Sequence, residues 1–190
     1  MGVHERLGRE SGFTMNELLV VTAILCLLTG FAIPTFSRWF PDYRLKMAAR
    51  DLVANLQLTK MGAVKENRKW RIVFFPNTNR YVVWSYGPNG EWDGGSGDDK
   101  DIKTVDLSDY GSGVCFCQGA ATWSATKPPG DVPEDRVSYN YNIAVFSPRG
   151  MANTLGYVYL SNSRQSSFAV GSPSRAGGIV LRRWSGEVWE

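Results

Sequence analysis

The chain has 190 residues, with 21 Lys and Arg against 18 Asp and Glu, a net charge of +3 that by itself calls for no nucleic-acid partner. Its single histidine, His4, precedes the first apolar run, and its three cysteines are Cys26, Cys115 and Cys117. That inventory offers no histidine-based triad and no zinc set, so the chain reads as a non-enzyme.

In chain order, the first feature is an apolar run over residues 18–33, with one carboxylate, Glu17, at its entrance. Residues 13–33 supply about the twenty residues needed to cross a hydrocarbon core. A charged side chain inside that core costs about 2.5–3.5 kcal/mol on insertion scales, so Glu17 needs a partner. An ordinary secretory signal would end in a small-residue cleavage site, whereas here Pro34-Thr35-Phe36 follows and glycine precedes the run.

The stretch Ser11-Gly12-Phe13-Thr14-Met15-Asn16-Glu17 resembles the class III signal of type IV pilins and pseudopilins. The resemblance implies that a prepilin peptidase cuts between Gly12 and Phe13 and that the new amine is methylated. It implies that Glu17 pairs with the amine of a neighbouring subunit during assembly. It also implies a single pass through a bacterial inner membrane with the C-terminal domain in the periplasm. The partners are then other pilin or pseudopilin subunits and an inner-membrane assembly platform. The count of basic residues runs the other way: Arg6 and Arg9 precede the run, and Arg38, Arg44, Lys46 and Arg50 follow it. The leader is the more specific signal and sets the expected orientation.

The expected division is a leader over 1–12, a transmembrane and assembly helix over 13–34, an amphipathic helix over 35–66 and a β-rich domain over 67–190. Gly30, Pro34 and Pro41 are expected to loosen or bend the helix. Leu45, Ala48, Ala49, Leu52, Val53, Leu56 and Ala63 recur at helical spacing, while Arg44, Lys46, Arg50, Asp51, Asn55 and Lys65 fill the other face. Residues 70–75 and 81–86 flank Pro76-Asn77-Thr78-Asn79 and read as a hairpin. Further strands are expected over 102–107, 114–116, 137–146, 157–160, 179–183 and 187–189. A long helix followed only by strands gives an α+β fold of pilin type, the helix packed on an antiparallel sheet. Cys115 and Cys117 alternate with Phe116 and stand as two half-buried thiols or a local disulfide.

Ala48-Ala49-Arg50-Asp51-Leu52, the hairpin Phe75-Pro76-Asn77-Thr78-Asn79-Arg80-Tyr81, Gly113-Val114-Cys115-Phe116 and Phe146-Ser147-Pro148-Arg149-Gly150 resemble the GspH/FimT group of minor pseudopilins and minor pilins. This implies a structural subunit of a type II secretion pseudopilus or a type IV pilus. The alternative is a DNA-binding minor pilin at a pilus tip. DNA-uptake members carry glycine-arginine-x-arginine near the C-terminus, where this chain has Gly186-Glu187-Val188-Trp189. Arg182 and Arg183, just upstream, are the candidate phosphate contacts. The acidic, glycine-rich segment 87–101 looks similar to the calcium loop of major pseudopilins. It makes calcium the one cofactor to consider, with Asp93, Asp98, Asp99 and Asp101 as candidate ligands.

Overall fold

The computed structural model describes residues 12–95, 97–126 and 130–190, with residues 32–38 described by their backbone alone. The expected leader therefore lies outside the described residues, apart from Gly12. Two compact units divide the chain, Met1–Trp39 and Phe40–Glu190.

Helix α1 spans Met15–Lys65. Its start is a capping box: the Thr14 N–H and hydroxyl each donate to Glu17 Oε2 at 2.9 Å, and the Glu17 N–H donates back to Thr14 Oγ1 at 3.2 Å. Its end is a left-handed Asn67 with φ 51°, after which the Arg68 N–H reaches the Ala63 carbonyl at 3.2 Å. The helical backbone continues through Gly30, Pro34 and Pro41, where loosening is expected from the missing proline N–H groups.

Strands β1 (Trp70–Phe75), β2 (Arg80–Ser85), β3 (Lys100–Asp106) and β4 (Ile143–Phe146) form one antiparallel sheet in the order β3-β2-β1-β4. Strands β5 (Gly156–Ser161), β6 (Ser167–Ser172) and β7 (Val180–Arg183) form a second, in the order β5-β6-β7. The β1–β2 register pairs Trp70 with Ser85, Ile72 with Val83 and Phe74 with Tyr81, so alternate side chains share the buried face. From the second sheet Val158, Leu160, Phe168 and Val170 enter the same core, together with Leu45, Ala48, Leu52 and Leu56 of α1. One helix thus lies over two small sheets in an α+β fold.

The hairpin forms as expected, closed by a 3-10 turn over Pro76–Thr78 and a left-handed Asn79. Other expected strands shrink. The 114–116 segment keeps only a bridge from Cys115 to Ser161, and 187–189 keeps only one from Trp189 to Trp184. The 137–146 segment breaks at Tyr141 and Asn142, both with positive φ, leaving a Val137–Val158 bridge and then β4. Strand β6 was not expected. Every residue in it is buried, so it has no polar–apolar alternation to read. Cys115 and Cys117 are joined in a disulfide.

Candidate assembly site

The expected cleavage pair and carboxylate stand together at the start of α1. Phe13 is exposed, and Glu17, in the first turn of α1, accepts hydrogen bonds from Thr14. Its carboxylate is therefore satisfied within the chain. Beyond it Leu18, Leu19, Val21, Ile24, Leu25 and Leu28 are all exposed. With Val20 and Leu27, which are exposed as well, these positions are spread around the whole circumference of a helix with 3.6 residues per turn, so no polar side is left for water. Among the described residues, no helix is long and apolar enough to cross a membrane.

Within Phe40–Glu190, α1 carries two apolar faces. Leu45, Ala48, Ala49, Leu52, Leu56 and Ala63 form the buried one. Phe40, Tyr43, Met47, Leu58 and Met61, spaced by three, four or eleven residues, lie exposed along another, with Ala54 between them. Rotation of the helix is fixed by polar contacts on the core side. Asn55 was expected on the polar face, but it is buried: its Nδ2 donates to the Tyr81 hydroxyl at 2.7 Å, and Lys103 Nζ donates to its Oδ1 at 3.1 Å. Burial pushes the Tyr81 hydroxyl well above the usual tyrosine range. Turning α1 to expose Asn55 would orphan that hydroxyl, so the second apolar face stays outward.

Asp42 ties the other end of this helical segment to the turn between β5 and β6. It accepts from Asn162 Nδ2 at 2.9 Å and Ser166 Oγ at 2.7 Å, with Arg164 at 3.7 Å. Burial works to raise the Asp42 carboxyl, but the Ser166 and Asn162 hydrogen bonds and the Arg164 charge outweigh it. The net effect holds the group below the usual carboxylate range.

The four acids singled out as calcium ligands face the backbone of their own loop or a neighbouring side chain. Asp98 accepts from the Asn89 N–H at 3.0 Å, and Asp99 accepts from those of Asp93 and Gly95 at 2.8 and 3.1 Å. Asp93 accepts from Asn89 Nδ2 at 2.9 Å, and Asp101 from the Thr104 hydroxyl at 3.1 Å. One oxygen each of Asp98 and Asp99 is buried without a hydrogen bond, a feature that a cation would satisfy. Among the described residues, however, no three metal-ligating side chains converge. The loop is held instead by a residue that sequence reasoning passed over. Buried Arg71 lies 3.8 Å from the centre of the Trp92 ring and 4.5 Å from that of Tyr86, and it donates to the Tyr86 hydroxyl. Burial lowers the Arg71 pKa to about 10, against the pull of Asp99. A tryptophan amid glycines and acids was the available signal.

Arg182 and Arg183 are consecutive in β7 and so project from opposite faces. Arg182 donates to the Ala125 carbonyl at 3.2 Å and lies 5.7 Å from the Tyr157 ring centre. Arg183 is exposed on the core-side register, where its charge helps lower Asp42. The two do not form one phosphate clamp. Trp184 and Trp189 pack against each other at 5.3 Å between ring centres.

The family model of the type II transport protein GspH matches residues 48–181. No curated protein and no solved structure matches the chain.

Proposed function

We propose, from the premise that the chain belongs to the GspH family of type II transport proteins, that it is a minor pseudopilin inserted by its N-terminal helix and assembled through that helix. The family implies a structural role in the pseudopilus beside other pseudopilin subunits. The observation that carries the finer reading is the apolar surface of α1, exposed over residues 18–30 and along a second stripe through Met47, Leu58 and Met61. Such surface needs lipid or other helices to cover it. In this reading the precursor holds residues 13–34 in the inner membrane with its sheets in the periplasm, and a prepilin peptidase cuts after Gly12. The Thr14–Glu17 capping box keeps the carboxylate satisfied before assembly. Glu17 then exchanges Thr14 for the Phe13 amine of a neighbour. Opposite charges in a low-dielectric bundle attract more strongly than the neutral hydroxyl does.

The test is in-cell cross-linking with Met47→Cys, comparing the parent chain with Glu17→Val. The expected result is links to other pseudopilins that fall about tenfold with Glu17→Val, while the cleaved size on a gel is unchanged, for a loss of about 1.4 kcal/mol. Equal cross-linking by the two chains would sink the role of Glu17. Links to competence proteins and a salt-sensitive shift of DNA would favour the DNA-uptake reading instead.

A further inference from the structure

The Cys115–Cys117 disulfide has surroundings that an assembly role leaves unused. Cys117 lines an open cavity of about 390 Å³ with Asn77, Phe116, Glu134, Asp135 and Arg136. That volume is in the range of sites for small ligands. Arg136, whose Nη1 donates to the Pro133 carbonyl at 2.9 Å and also to that of Glu134, lines the cavity with Glu134 and Asp135, so its lining carries both signs of charge. A zwitterionic peptide matches such a lining in both charge and size.

Cys115 is placed differently. Its N–H donates to the Ser161 carbonyl at 3.1 Å and the Ser161 N–H returns to its own carbonyl at 3.2 Å, fixing it against the end of β5. Its Sγ lies 4.0 Å from the Ser161 hydroxyl. Phe116, between the cysteines, is buried, its N–H donates to Asn79 Oδ1 at 3.0 Å, and its ring meets Phe74 edge-on at 6.2 Å. These anchors do not depend on the sulfur–sulfur bond, so the segment keeps its place when that bond opens.

We propose that Cys115–Cys117 is a thiol–disulfide exchange site for a low-molecular-weight peptide thiol of the glutathione class, entering the cavity beside Cys117. The incoming thiolate attacks the Cys117 sulfur. A ligand–Cys117 disulfide forms as the Cys115–Cys117 bond breaks, and the electron pair leaves on Cys115 as a thiolate that the Ser161 hydroxyl faces. A second thiolate attacks the ligand sulfur, releasing the oxidised ligand dimer and a Cys117 thiolate. Water supplies the protons that neutralise the two cysteines. Two ligand thiols are oxidised and one protein disulfide is reduced. Access to the half-buried Cys117 through the open cavity and a one-residue separation both favour exchange over a permanently closed bond.

The test treats oxidised full-length protein in detergent with reduced glutathione under native conditions, quenches with acid, alkylates and locates the adduct by peptide mass spectrometry. The expected adduct sits on Cys117 over Cys115 by at least about tenfold, with the near-ultraviolet dichroism of the fold retained. In a second arm Cys115→Ser and Cys117→Ser are treated with oxidised glutathione, and the first is modified faster by a similar factor. Reduction that occurs only after denaturant is added, or an adduct mainly on Cys115, would overturn the proposal. The wild-type arm stands even if a variant fails to fold.

Discussion

Leu25 and Leu52 share a side chain, a helix and a helical backbone, yet Leu25 is 54% exposed and Leu52 is 0% exposed. The difference lies in what each stretch of α1 is given to cover it. Around Leu52 this chain supplies two sheets of its own. Around Leu25 it supplies nothing among the described residues of Met1–Trp39. Within Phe40–Glu190 α1 is therefore a core element, whereas over residues 18–31 its apolar side chains stand exposed. The same truncation made in both places separates the two roles. Leu52→Ala should cost about 2–5 kcal/mol in urea unfolding, through lost transfer energy and the cavity left behind. Leu25→Ala should leave that unfolding free energy unchanged while reducing incorporation into filaments. A matching loss of stability from both would erase the contrast.

A smaller effect is expected at the loop pinned over the first sheet. Arg71→Ala removes the cation that lies against Trp92 and Tyr86 and counters Asp99. The cost should be about 1–3 kcal/mol, because the partners left behind are partly buried. Limited proteolysis should then cut first within residues 87–95, and calcium should not restore protection if the arginine is what holds the loop. Restoration by calcium would return Asp98 and Asp99, with their unpartnered buried oxygens, to the role of ligands.

What the sequence disclosed follows the same division between local pattern and long-range partnership. The helix, the β1–β2 hairpin and the inward residues of α1 were legible because period and turn chemistry are local. Asn55 was misplaced because its partners, Tyr81 and Lys103, are distant in sequence and override its polarity. Strand β6 was missed because burial on both faces erases alternation. The opposite projection of Arg182 and Arg183 was readable from strand parity once β7 was placed. The Arg71–Trp92 contact had only the hint of a tryptophan amid glycines and acids, since nothing in the spacing of those residues sets the fold of the loop between them.

Acid should weaken the tie at Asp42 by a still smaller amount. Its folded pKa lies below its unfolded value, so the unfolded chain binds more protons as pH falls. The contribution is full above an unfolded pKa of about 3.9 and is lost as pH drops through the lowered folded value. For so exposed a pair the effect should be under about 1 kcal/mol. Asp42→Asn, which keeps an acceptor oxygen, should flatten the pH dependence of stability below pH 4, as read from urea midpoints (about the unfolded carboxylate pKa). An unchanged slope would assign the acid sensitivity to other carboxylates.

The smallest effect on folding should come from the second apolar face, and there a small number is the informative one. Met61 is 70% exposed, on the opposite side of α1 from the buried Leu52–Leu56 stripe. Met61→Ser should therefore shift stability by no more than about 0.5 kcal/mol, the ordinary range for surface positions. If the stripe through Met47, Leu58 and Met61 is covered by neighbouring subunits, the same change should lower cross-linking from Met47→Cys severalfold. Stability and assembly would then respond in opposite proportion to Leu52→Ala and Met61→Ser. A Met61→Ser chain that folds and cross-links like the parent would confine the assembly surface to residues 18–31, leaving the exposed stripe beyond Phe40 as ordinary solvent-facing surface.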